Sequence, residues 1–492
     1  PKPQTPNPKP QTPNPEFSCD WRLETQTINR KSEVLELKMS ESPGGLSGRG
    51  RPMLDNTNFY VGVQAFLQGL FGLAQISIFI YQKEVLKLEP STIQIAGGLI
   101  SLPWCVKPAI GFMLDRTVRR WGSTRPVFVG AAAVAGVVFA VLGRYDLPTW
   151  VFLLGCFFLT CCVVVLNIIS EYLLCVTSKE ESKVSGKPKN NFPIFFGFRG
   201  LGGIIGSLAG GRLLDAWGVR FVFRLCSALP VLIVLVALLR QEPPPRPQKR
   251  RSLRQELKAL AELLSRRELL ALLSCIFLVH VAPNFDSISA FYLSDIHKFS
   301  AADLSDLNSI SSLFYVAGLF VYRRWLSHVS ARRLFLSSNL LLWLGNVSFM
   351  ALVLRWVESW GLSPKIFCLL NYGVTSFIAE LNSMPVYAIW TSHVPHGLEA
   401  TSVTLLTGAI NLSNACGIAS GALVAKIFAL ASGNMQKFSL ALLVQNVYLI
   451  FVAALLFVIP IEEPSVHAPI EIQDINELKL KDYEQDNLRE ID

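Results

Sequence analysis

Charge is what this sequence has least of: Asp, Glu, Lys and Arg make up 16% of its 492 residues, against 51% hydrophobic, with a mean hydropathy of +0.40. A soluble chain of this size carries roughly a quarter charged residues, so a soluble globular enzyme is excluded. HExxH, GxSxG and GxxxxGK[ST] are missing, and so is a polar stretch long enough for a soluble catalytic domain, so no enzyme is expected. Ten cysteines are present but none has metal-ligand spacing, and all except Cys19 lie in or beside apolar stretches. They read as small buried hydrophobes, with no metal and no cofactor implied.

What is present is a succession of apolar stretches, and the fold class they imply is an all-α polytopic membrane protein. Spans are expected near 59–82, 93–114, 127–143, 149–174, 193–214, 221–239, 268–292, 305–325, 332–354, 365–390, 402–427 and 437–461. At about 20 residues per crossing these are twelve transmembrane helices. They fall into two six-helix bundles, 58–239 and 268–461, joined by the connection 240–267. The opening, 1–57, contains KPQTPNP twice, Lys2 to Pro8 and Lys9 to Pro15, and is expected to be a disordered proline-rich tail. Because the first residue is Pro1 and not Met, the chain is expected to be a fragment or a processed product.

The basic residues give an orientation. Arg116, Arg119, Arg120 and Arg125 lie between spans 2 and 3, Lys179, Lys183, Lys187 and Lys189 between spans 4 and 5, and Arg323, Arg324, Arg332 and Arg333 between spans 8 and 9. The connection from Arg240 to Arg267 holds nine bases against three acids, while the alternate loops are poorer in bases. The positive-inside rule puts the rich loops, and with them both termini, in the cytoplasm. The pI of 9.0 thus reports membrane orientation and calls for no nucleic-acid partner. Within 240–267, Leu253, Leu257, Leu260 and Leu264 are spaced for an amphipathic helix after the breaker Glu242-Pro-Pro-Pro. The tail 462–492 is acidic, with ten acids against three bases.

A weak internal repeat runs through the spans, as transporters built from helix triplets leave in their sequences. Span 2 ends Gly111-Phe-Met-Leu-Asp115-Arg116 and span 5 ends Gly211-Arg-Leu-Leu-Asp215. Spans 8 and 11 end Gly318-Leu-Phe-Val-Tyr322 and Gly421-Ala-Leu-Val-Ala425, keeping the glycine but not the acid. GFMLDRTVRRWG closely resembles the loop 2–3 signature of the major facilitator superfamily. Asp115 is suited to pair with an arginine, or to cap a helix N-terminus, across the two halves. Gly202, Gly206 and Gly210, and again Gly417 and Gly421, form small-x-x-x-small steps where backbones approach closely; in a rocker-type transporter such faces are where the halves slide.

A narrower resemblance lies in Leu102-Pro103-Trp104-Cys-Val-Lys107-Pro108-Ala-Ile-Gly111-Phe-Met-Leu-Asp115, which is similar to the span 2 signature of the folate-biopterin transporter family. Further pieces follow in order: Phe198-Arg199-Gly200, Gly210-Gly211-x-Leu-Leu-Asp215-x-x-Gly218-x-Arg220, Ala290-Phe291-Tyr292 after Pro283, and Pro395-x-Gly397-x-Glu399-Ala400-Thr401 with Asn411-Leu412. The resemblance covers about residues 58 to 461. Leu114 departs from it, standing where a small hydroxyl residue is usual, and Asn284-Phe285-Asp286-Ser287 matches loosely. The resemblance implies a secondary transporter of folates or pterins such as biopterin, working by alternating access and coupled to protons in some members. Other members carry S-adenosylmethionine, and a membrane receptor that does not transport is the alternative from another class. A plasma membrane is expected rather than an organelle membrane.

Ionisable groups inside spans are costly unless paired or wet, which makes each a site candidate. Arg199 offers bidentate geometry for a carboxylate of the folate tail, with snorkelling to the interface as the ordinary reading. Lys107, before Pro108, reads as a carboxylate ligand or half of a structural ion pair. Asp286, after Pro283, is the first candidate for proton coupling, with Glu171 and Glu380 as substitutes and Asn371 and Asn382 beside Glu380 as partners for a pterin ring. His280 reads more readily as an interior histidine than as a proton relay. Trp104 and Tyr292 are the leading aromatics to stack on a flat ring, with Phe285, Phe291, Tyr372 and Trp390 behind them. Gly111, Asp115, Arg116, Gly211, Asp215 and Glu399 are the candidate gating positions.

Overall fold

A computed structural model of the chain describes residues 59–111, 113, 122–185, 192–239, 258, 261, 265, 267–392 and 399–458. The proline-rich tail, Asp115, Arg116, the amphipathic stretch of 240–267 and the acidic tail lie outside the described residues, as do the side chains of residues 391–403, Glu399 among them.

Among the described residues the regular elements are helices, with a single isolated bridge between Ala431 and Asn434. In chain order they are α1 (Phe59–Val85), α2 (Pro90–Cys105), α3 (Arg125–Arg144), α4 (Thr149–Ser185), α5 (Phe192–Trp217) and α6 (Val219–Leu239). There follow α7a (Arg267–His280), α7b (Asp286–Asp295), α8 (Ala301–Leu326), α9 (Ala331–Val353), α10 (Pro364–Ser392), α11 (Glu399–Ile427) and α12 (Phe438–Val458). Eight of these, α1, α3, α4, α6, α8, α9, α11 and α12, are long and apolar enough to cross a membrane. Their outward faces carry exposed Val137, Phe158, Leu235, Leu341 and Phe451, side chains that hydrocarbon solvates and water does not. The protein is an integral, multi-pass membrane protein.

The other four stretches break or carry polar groups, for readable reasons. Pro108 has no N–H and its ring crowds the carbonyl four residues back, so α2 stops at Cys105 and helix resumes after a turn at Val106. The freed carbonyl of Trp104 accepts from Asn411 Nδ2 on α11, at 3.4 Å. The segment 281–285, containing Pro283, separates α7a from α7b just before Asp286. α5 carries Arg199, Arg212 and Asp215, and α10 carries Glu380 between Asn371 and Asn382.

Packing follows chain order. α1 lies on α5 and α6, α3 on α4 and α6, and α2 on α4, while α8 lies on α10, α9 on α10 and α12, and α7a on α11 and α12. Two long seams join these sets, α5 along α8 and α2 along α11. The ends of α1, α5, α7b and α11 share one face with the starts of α2, α8 and α12; we call it distal and the opposite face proximal. One apolar cluster fills the distal side and draws on both sets, from Leu73, Tyr81, Phe152 and Phe223 to Phe291, Leu304 and Phe438. On the proximal side the core divides into one cluster around Phe128, Leu173 and Phe195 and another around Phe335, Trp390 and Leu456.

The glycine steps seat helices within a set. Gly202, Gly206 and Gly210 meet the backbone of α1, and Gly417 and Gly421 meet that of the break in α7. Those glycines do not lie between the two sets; Gly211 does, where a Cβ would come within 2.7 Å of the Ala301 carbonyl, and so do Gly200 against Val316 and Gly408 against Pro108.

Candidate functional site

The ionisable side chains inside the spans converge where the seams meet. After the turn at Val106, Lys107 is 4% exposed, and burying an ammonium in a span requires a counter-charge. α4 supplies it: Lys107 Nζ lies 2.9 Å from Glu171 Oε1 and 2.8 Å from Oε2. The same ammonium stands 5.8 Å from the ring centroid of Trp104, one helical turn back. The partly buried Arg199 guanidinium on α5 feels the charge of Glu171 and the hydroxyl of Tyr315 on α8.

Across the seam, Gly318 lets α8 approach α10 so closely that a Cβ would come within 3.0 Å of Glu380 Cβ. Tyr315, one turn earlier on α8, sets its hydroxyl toward the Glu380 carboxylate. Glu380 is 2% exposed and its Oε1 has no hydrogen-bond partner. Tyr387, two turns further along α10, feels both Glu380 and Glu171. Two cations and one acid from the first set thus face one acid and two phenols from the second.

The structure brings together Lys107, Arg199, Glu380 and Trp104 among the residues singled out from sequence, and sets two apart. Asp286 opens α7b, where Asn284 Nδ2 donates to its Oδ2 at 2.9 Å and its own N–H donates to Asn284 Oδ1. Its carboxylate is exposed in a cavity of about 520 Å³ lined by α7, α9, α10, α11 and α12, with Tyr372 and His280 also on the wall. Tyr292 lies in the distal apolar cluster, edge-on to His297 and tilted against Phe438, with its hydroxyl toward the Val353 carbonyl at 3.4 Å. Phe285, Phe291 and Trp390 are likewise core residues. Tyr315 and Tyr387 were missed by sequence reasoning, since one tyrosine in an apolar helix carries no signal of its neighbours.

Of the gating positions, Gly111 packs on Ile168 of α4, and Glu399 begins α11. Asp215 crosses the seam: its Oδ2 accepts from the backbone N–H of Ala302, at 3.0 Å. Arg212 and Asp306 pair beside it at 2.9 Å, and Ser305 Oγ donates to the Ser207 carbonyl. On the other seam Lys83 pairs with Asp295 at 2.5 Å, Gln94 Nε2 donates to the Asn284 carbonyl at 2.9 Å, and Glu89 accepts from Ser432 N–H.

A family model described as the BT1 family matches residues 68–478. The chain belongs to the BT1 family. This member is 23% identical over 420 residues to the folate-biopterin transporter of Synechocystis sp. (strain ATCC 27184 / PCC 6803 / Kazusa), covering 83% of each chain. It is 21% identical over 425 residues to folate transporter 2 of Plasmodium falciparum (isolate 3D7), covering 85% of this chain and 92% of that one. Among solved structures it is similar to the nucleoside transporter NupG, with a TM-score of 0.63 at 16% identity over 82% of this chain and 99% of that one. A bacterial homologue of the lysosomal transporter Spinster, inward-facing and unoccupied, matches with a TM-score of 0.59 at 15% identity, covering 83% and 97%. The BT1 chain therefore has the major facilitator fold, and its family is one of transporters, which supports a reading without catalysis.

Proposed function

We propose that this BT1-family protein is a secondary active transporter that carries folates or pterins by alternating access between two six-helix bundles, 58–239 and 268–461, with twelve crossings in all. The observation that carries the reading is the facing of Lys107, Glu171 and Arg199 by Glu380 and Tyr315 at the meeting of the seams. Anionic tails suit the two cations, with Arg199 the bidentate ligand. Glu380 is the proposed proton carrier: it is buried, has one oxygen unpartnered and faces no cation of its own bundle. Asp286, exposed and held by Asn284, is assigned to substrate rather than to coupling.

The conformer supports the same reading. The apolar core is continuous across the sets on the distal side and divided on the proximal side. With both termini in the cytoplasm, as the basic loops suggest, this is a state closed to the outside. The plasma membrane is the proposed location.

The test is uptake of radiolabelled folate, biopterin and S-adenosylmethionine into proteoliposomes, with and without an inward proton gradient. Saturable folate or biopterin uptake that rises with the gradient is expected. Uptake of S-adenosylmethionine alone would overturn the substrate assignment, and equal uptake with and without the gradient would remove the proton.

A further inference from the structure

The cavity among α7, α9, α10, α11 and α12 is lined by amides whose hydrogen bonding is one-sided. Asn339 Nδ2 donates to the Phe335 carbonyl at 2.7 Å, Asn346 Nδ2 to Leu342 at 3.0 Å, Asn371 Nδ2 to Gly345 at 3.0 Å and Asn382 Nδ2 to Ser338 Oγ at 2.9 Å. A backbone carbonyl can only accept, so it fixes the amide nitrogen of Asn339, Asn346 and Asn371; for Asn382 the Phe335 carbonyl at 3.3 Å does the same. The amide oxygens are left over. No donor among the described residues reaches them, and all four residues line the cavity.

Two more acceptors join them. His280 Nδ1 lies 2.9 Å from the Ile276 carbonyl, which makes that nitrogen the donor and leaves Nε2 as an acceptor. Asp286 uses Oδ2 for Asn284, and Oδ1 is open. No Lys or Arg lines this cavity. Unpaired polar groups on a wall inside a membrane bundle are stable only when something supplies their partners, either water or a ligand.

We infer that this cavity is a binding site for a flat, donor-rich heterocycle: the ring N–H and exocyclic amino group of a pterin, held by Asp286 and by the Asn346 and Asn371 oxygens at the same end of the cavity. The inference rests on the proposed transport of pterins and divides recognition between two places. The cationic cluster at the seams takes carboxylates, and the amide cavity takes the ring. Adjacent N–H donors on a 2-amino-4-oxo pyrimidine match a carboxylate as a guanidinium does, which gives Asp286 its role. The ring of Tyr372 is on the same wall and offers a stacking face. The volume of about 520 Å³ falls within the range of small-molecule sites.

The test is equilibrium binding to the purified full chain of two probes, biopterin, which lacks the glutamate tail, and p-aminobenzoylglutamate, which lacks the pterin. Asn346→Leu and Gln445→Leu are the variants of choice, because Asn346 bonds only within its own helix and Gln445, also on the wall, makes no hydrogen bond. Each should weaken biopterin about tenfold, the scale of one buried hydrogen bond, and leave p-aminobenzoylglutamate unchanged. Arg199→Gln should do the reverse. Unchanged biopterin binding in both amide variants, with the wild type binding it, overturns the amide site and leaves the transport reading standing. A parallel loss of both probes makes the amides structural and overturns it as well. A wild type that binds neither probe overturns the transport reading, and the inference falls with it.

Discussion

Asp215 of α5 caps the first turn of α8: its Oδ2 accepts from the N–H of Ala302 at 3.0 Å, across the seam between the two sets of helices. Helix N-termini leave their first N–H groups unpaired and carry a partial positive charge. Ser300 serves the N–H of Asp303 in a capping box, and Asp215 serves the next orphan from the other set. Gly211, one turn before Asp215, keeps the two backbones close enough for this bond. A helix N-terminus capped from the other set, the role foreseen for Asp115, which lies outside the described residues, is what Asp215 provides.

Removing that cap should open the distal face. Asp215→Ala loses a capping bond of about 1 kcal/mol, a factor of about five in a two-state equilibrium. Spin-label distances between the distal ends of α5 and α8 should show a longer component growing by that factor. An unchanged distribution would show that the bond does not hold the two sets together.

The Lys107 and Glu171 pair should behave as a buried ion pair. Lys107→Gln takes a charge-assisted bond from Glu171, which keeps Arg199 beside it, and should cost about 1.5–3 kcal/mol of stability, while the double variant Lys107→Gln, Glu171→Gln should recover part of it. Thermal denaturation of the four proteins in detergent measures this. Additive losses would mean the two charges do not act on each other.

Distal closure should also depend on acid. Burial pushes the Asp295 carboxyl up, but hydrogen bonding to Lys83, the Lys83 charge, Ser432 and the Gly433 N–H together hold it below the ordinary carboxylate value. A carboxyl depressed in the closed state contributes fully at neutral pH and loses its contribution as pH falls through its lowered value. Closure should therefore be constant from pH 7 to about 5 and weaken below about 4, and Asp295→Asn should remove the acid-sensitive part. A wild-type distal distance that does not change down to pH 3 would exclude this contact as a closure element.

Arg199 separates substrates. Arg199→Ala should raise the apparent KM for folate by tenfold or more and for unconjugated biopterin by less than twofold, since a charge-assisted bond contributes about 1.5–3 kcal/mol. Arg199→Lys should fall between, because an ammonium lacks the bidentate fork. Equal changes for both substrates would make Arg199 a structural residue.

The helices were legible because apolar length and basic loops report directly on the bilayer. The break at 281–285 was legible, because Pro283 acts on its own backbone, while the one at Val106 fell inside a span read as continuous, 93–114, although Pro108 acts there in the same way. Lys107, Arg199 and Glu380 stood out because a charge in an apolar run is conspicuous. What pairs with them was not legible: Glu171 meets Lys107 from 64 residues away, and Tyr315 meets Glu380 only because Gly318 brings α8 onto α10. Tyr292 misled for the converse reason, since an aromatic beside a broken helix looks the same in sequence whether it faces a cavity or a core. The one-sided amides of α9 and α10 depend on rotamers, which no spacing rule conveys.

The shared distal apolar cluster makes the resting state sensitive to temperature. Contact between apolar surfaces is driven largely by entropy near room temperature and weakens on cooling. The distal face holds the two sets together partly through Leu73, Tyr81, Phe291 and Leu304, whereas the proximal side has two separate clusters. Cooling should therefore loosen the distal contact between the two sets, and a distance measured across it should follow a curved van't Hoff plot.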